Sequence, residues 1–121
     1  MDVVVKFDGR RWVISPDPVK VKVGTAIRWV FNGPNCPYPR LRWTVYFHHG
    51  TPFGPWQTVW TIDTNATNQD GAPSEKEGDH KGATASPSPS EPGEFKYSVK
   101  VENRDDHTIL GDDDPKLIVW Q

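Results

Sequence analysis

Prolines recur along this chain and, with its glycines, disfavour helices. Twelve of its 121 residues are proline and ten are glycine, recurring along most of its length. A proline inside a helix removes a ladder hydrogen bond and clashes with the preceding turn. Regular structure must therefore fit between the stops as short extended runs. Those runs alternate with period two. Val19, Val21 and Val23 are separated by Lys20 and Lys22, and Ile27, Trp29 and Phe31 by Arg28 and Val30. Leu41, Trp43, Val45 and Phe47 alternate with Arg42, Thr44 and Tyr46. Phe95, Tyr97, Val99 and Val101 alternate with Lys96, Ser98 and Lys100. Period two sends successive side chains to opposite faces, so each run is a strand with one buried face.

Four further strands complete the reading. Residues 3–7 run into Asp8-Gly9, a strong hairpin signal, and residues 11–14 return. Residues 58–62 and 117–120 are the others. The expectation is an all-β sandwich of about eight strands in one domain, residues 1–121. Ser15-Pro16-Asp17-Pro18 interrupts the second strand, and residues 32–39 form a loop held open by Pro34, Pro37 and Pro39. Residues 63–92 read as one long irregular segment, mobile around residues 86–90, and residues 103–115 as an acidic loop. A loop as long as the first is either functional or mobile.

Charge and cysteine content narrow the function classes. Fourteen basic against sixteen acidic residues leave a net charge of −2, against the basic balance of a nucleic-acid binder. No apolar run is long enough to span a membrane. The start, Met1-Asp2-Val3-Val4-Val5-Lys6, has no leader pattern. That points to the cytoplasm, or to a secreted or periplasmic protein whose leader has been removed. Cys36 is the single cysteine, so no internal disulfide forms, which fits a reducing compartment. The sequon Asn65-Ala66-Thr67 matters only in a secreted, glycosylated chain.

The order of these pieces resembles the cupredoxins, the copper-protein family that includes plastocyanin. The valine strand 19–23 runs through Gly24 into Ile27-Arg28-Trp29-Val30-Phe31-Asn32, similar to the family's glycine turn and Trp-x-x-Asn strand. Pro92-Gly93-Glu94-Phe95-Lys96-Tyr97 resembles the opening of its penultimate strand, and a short strand over residues 116–120 closes the chain. The resemblance covers roughly residues 10–121 and implies a Greek-key sandwich. It also implies a copper site of two His, one Cys and usually one Met. Here those positions fall near Trp43, Val99 and Glu102. No cysteine follows Cys36 and no methionine follows Met1. Without a thiolate the soft ligand that selects copper is missing, so no cofactor is expected.

Other candidates carry less defined chemistry. His48-His49 sits at a strand end, where adjacent side chains point to opposite faces and so do not readily share an ion. Asp105, Asp106, Asp112, Asp113 and Asp114, with His107, suggest either a calcium loop or a solvated acidic turn. Residues 63–71 have a fainter calcium flavour. Cys36 lies in a proline-flanked loop with no histidine beside it in sequence. Phe53, Trp56 and Tyr38 are loop aromatics that either anchor a partner or cap the sandwich. Lys20, Lys22, Arg28 and Arg42 occupy polar strand positions that would make one sheet face basic.

No catalytic constellation is visible: there is no Ser/His/Asp order, no phosphate-cradling loop and no recognisable carboxylate pair. The first reading is a non-enzymatic, metal-free interaction module that holds a protein partner or a second copy, with His48, His49, Phe53 and Trp56 as its candidate residues. The second is a ligand-binding sandwich for carbohydrate or calcium, using the same aromatics or the acidic loop.

Overall fold

A computed structural model of the chain describes residues 1–54 and 58–121. It is all-β, with ten strands and no helix among the described residues. They are β1 (Asp2–Phe7), β2 (Trp12–Ser15), β3 (Val19–Lys22), β4 (Arg28–Cys36) and β5 (Arg40–Phe47). The remainder are β6 (Val59–Asn65), β7 (Gly78–Ala83), β8 (Gly93–Asn103), β9 (Ile109–Asp113) and β10 (Lys116–Trp120).

Two sheets make the sandwich. The smaller has the order β2-β1-β4-β7; the larger runs β3-β10-β8-β5-β6, with β9 also paired to β8. Most pairs are antiparallel, but β1 runs parallel to β4 and β3 parallel to β10. β8 organises the larger sheet. One of its edges takes β5 along residues 97–103; the other takes β10 at Gly93–Lys96 and then β9 at Val99–Glu102. The Ser15-Pro16-Asp17-Pro18 stop is where the chain changes sheets: β2 pairs with β1, and β3, immediately after, pairs with β10.

The alternating runs fill the space between the sheets. Trp29, Phe31, Leu41, Trp43, Val45, Phe47, Tyr97 and Leu117 are all essentially inaccessible. Trp29 meets Phe47, Trp60 and Tyr97 at ring-centroid distances of 6.2, 5.7 and 5.6 Å. Phe31 stacks on Trp43 at 5.1 Å, and Trp12 meets Trp43 edge-on at 4.9 Å. Such contacts join large area burial to a favourable ring geometry. Trp12 also closes one side of the sandwich by lying against Gly111 of β9, where a Cβ would come 2.6 Å from the indole.

The strand count corrects the sequence reading from eight to ten. β7 lies inside the segment read as irregular, and β9 inside the acidic loop. β7 reads Gly-Asp-His-Lys-Gly-Ala, with no apolar alternation to announce it. It is a strand because β4 offers it a ladder from Val30 to Cys36, and tertiary pairing overrides propensity. β4 itself runs on through Pro34, with a register shift between Gly33 and Cys36 where the expected loop begins. Proline is tolerated at such irregularities. Residues 86–90, expected to be mobile, are tied to their surroundings. Pro87 and Pro89 carbonyls accept from Ile27 and Gly24, each at 2.9 Å, and Ser90 N–H donates to Pro52 O at 2.7 Å.

Candidate functional site

His48 and His49 follow the last residue of β5 and lie in a bend. Strand alternation therefore no longer separates them, and their ring centroids come within 5.9 Å. This corrects the expectation of opposite faces. His48 packs edge-on against Tyr46 at 4.7 Å, and its Nε2 makes a short contact with Ser98 Oγ. Ser98 faces outward on β8, register partner of Tyr46, yet is nearly inaccessible. Its hydroxyl donates to Asp114 Oδ1 at 2.7 Å. Lys96, Lys100 and Asp112 complete an open cleft of about 400 Å³ around it.

The direction of these bonds limits their chemistry. With its proton given to a carboxylate, the Ser98 oxygen accepts from His48 Nε2–H. A nucleophilic serine needs the reverse, its proton directed to an imidazole acting as base. The chain His48–Ser98–Asp114 instead ties the end of β5 to the joint between β9 and β10. No group of three or more His, Cys, Asp or Glu side chains among the described residues is arranged to hold a metal ion.

The other singled-out residues fall in different places. Phe53 does not present its ring outward. It meets Trp29, Phe47 and Trp60 at 6.0, 5.6 and 5.3 Å, capping the core. Trp56 lies outside the described residues. Tyr38 is half-buried against the core. Cys36 is buried, and burial pushes its thiol up to about 11, which leaves it protonated and unreactive at neutral pH.

The acidic side chains diverge. Asp105 accepts from Arg40 at 2.5 and 3.0 Å, which holds its carboxyl below the usual range. Asp106 accepts the Thr108 N–H at 2.9 Å, lowering it likewise. Asp112 stands opposite Lys100, and Asp114 serves Ser98. Asp63 belongs to β6, paired through its carboxylate with Arg42 at 2.8 and 3.1 Å.

The expected basic face is divided as well. Arg28 lies in the smaller sheet and pairs with Asp2 at 2.9 Å. Lys20, Lys22 and Arg42 belong to the larger one. Of the positions where the resemblance would place copper ligands, Trp43 and Val99 fill the core, and Glu102 faces outward opposite Arg42.

Sequence reasoning passed over His80. It is fully buried on β7, and two neighbours fix its tautomer. Nε2–H donates to the Tyr38 carbonyl at 2.7 Å, so Nδ1 accepts, here from Thr64 Oγ1 at 2.6 Å. Thr64 in turn accepts from Trp43 Nε1–H at 2.8 Å. Every polar atom of this relay is satisfied, as burial demands. Nothing in the local sequence marks it, because its partners are contributed by distant strands.

The outward face of the larger sheet carries exposed apolar side chains. Tyr46, Val59, Ile109 and Trp120 are 36, 41, 51 and 48% exposed. Tyr46 and Val59 are register partners and stand side by side. No protein-family model matches the chain, and no curated protein matches it.

Proposed function

We propose that this chain is a metal-free, non-enzymatic interaction module on a cupredoxin-like Greek-key sandwich, and that it binds a protein partner through the outward face of its larger sheet. The fold part of the reading draws support from where the resembling motifs lie. Gly24 stands between β3 and β4, Trp29 to Asn32 lies within β4, and Pro92-Gly93 opens β8. The closing strand β10 then bridges β8 and β3.

One observation carries the functional part. Among the described residues, six large apolar side chains are exposed, and four of them (Tyr46, Val59, Ile109 and Trp120) belong to strands of the larger sheet. Scattered single apolar residues are ordinary on any surface, whereas Tyr46 and Val59 stand side by side as register partners, and aromatic residues are enriched where interfaces form. A carbohydrate or calcium site is less well supported: Phe53 faces the core, and the acidic side chains point to separate partners.

The test compares affinity enrichment by the native protein and by Tyr46→Ser/Val59→Thr, with sedimentation velocity to detect self-association. We expect a partner, or a dimer, held by the native protein and lost from the variant. Enrichment that is equal for both proteins, or absent from both together with a strict monomer, overturns the reading.

A further inference from the structure

Resting on that reading, we infer that the β3–β10 end of this face takes an acidic polypeptide segment with an apolar anchor. Strand register assembles the surface. Lys20 pairs with Ile118, which pairs with Glu94; Lys22 pairs with Trp120; Lys116 pairs with Lys96. Paired residues share a face, and Val19, Val21, Leu117 and Val119 point into the core from the same strands. The outward side therefore sets Trp120 and Ile118 among four lysines and one glutamate.

The lysines of this patch are held differently from the arginines on the strands. Arg28, Arg40 and Arg42 are each fixed to an aspartate. Lys20, Lys22 and Lys96 form no ion pair among the described residues, and Lys116 reaches Glu94 only at 4.0 Å. A local excess of unpaired cations on a chain of net charge −2 orients an approaching anionic partner.

The centre of the patch selects among anions. Trp120 is 48% exposed, and tryptophan is the residue most enriched among those that dominate interface energetics. A sulfated polysaccharide would meet the lysines but leave Trp120 and Ile118 uncovered. An acidic peptide carrying one aromatic or aliphatic side chain covers both.

Fluorescence anisotropy tests the inference with a fluorescein-labelled Asp/Glu-rich peptide bearing one central phenylalanine. We expect saturable binding that weakens as salt rises. The peptide without its phenylalanine should bind at least several-fold more weakly. Lys20→Glu/Lys22→Glu and Trp120→Ala should each lose about tenfold. Trp120→Phe, should the alanine variant not fold, keeps most of the affinity. No binding, equal binding by the lysine variant, or tighter binding to a sulfated polysaccharide or to phosphatidylserine vesicles overturns it. If the Tyr46→Ser/Val59→Thr variant loses a captured partner while the peptide fails to bind, the interaction reading stands and the acidic class falls. Failure of both overturns both.

Discussion

At the scale of single residues, His80 is a group whose ionisation the fold opposes. Burial holds its pKa below the ordinary 6.5, and Arg104 acts the same way, outweighing the Tyr38 carbonyl and Asp79, which favour the charged form. A proton on Nδ1 would turn an acceptor into a donor facing Thr64, whose hydroxyl already receives the Trp43 N–H. The folded state therefore binds this proton more weakly than the unfolded chain does. Its contribution to stability is complete above the unfolded value and declines as pH falls below it. We expect the native protein to lose more thermal stability than His80→Gln between about pH 8 and about pH 5. Parallel declines would remove His80 as the cause. The contrast with His48 and His49 shows what a sequence displays at this scale. A histidine pair at a strand end is visible as a motif, and the bend that unites the two rings is not. His80 has no motif at all, because its partners Thr64 and Tyr38 lie 16 and 42 residues away.

Among the strands, β7 depends on its glycines. A Cβ on Gly78 would collide with the Thr67 carbonyl oxygen and lie 3.0 Å from two further Thr67 backbone atoms. On Gly82 it would meet the Ile62 and Thr64 methyl groups at 3.0 and 3.2 Å. Side-chain methyls give way more easily than backbone. Alanine at either position should destabilise by about 1–3 kcal/mol, with Gly78→Ala the worse, as read from denaturant midpoints. An equal or reversed order would contradict the close approach of Gly78 to the Thr67 backbone. Strands with two-fold alternation, such as β3, β5 and β8, were legible because one buried face dictates their pattern. β7 and β9 were not, since glycines and aspartates carry no such pattern and the ladder alone makes them strands. Arg104 is a similar case: it donates to the carbonyls of Leu41 and Thr64 at 3.1 and 2.9 Å and to Asn65. It thereby joins the ends of β5 and β6 across a gap in sequence that no local reading spans.

For the whole molecule, the alternating runs and proline stops made the sandwich legible, whereas the distribution of exposed side chains over its two outer faces required the register. Lys22 and Trp120 are separated by almost the full chain and become neighbours only when β10 lies parallel to β3. The same pairing makes β10 indispensable to both β3 and the first residues of β8. Removing residues 116–121 should abolish cooperative thermal unfolding, and a truncated chain that melts cooperatively near the native temperature would contradict this. Such long-range pairing also has a bearing on synthesis. A nascent chain has made β3 early but cannot complete the sheet until the last strand has left the ribosome. Completion of this domain then waits for β10, and every product of premature termination before β10 emerges with an unmated strand, open to chaperones and proteases.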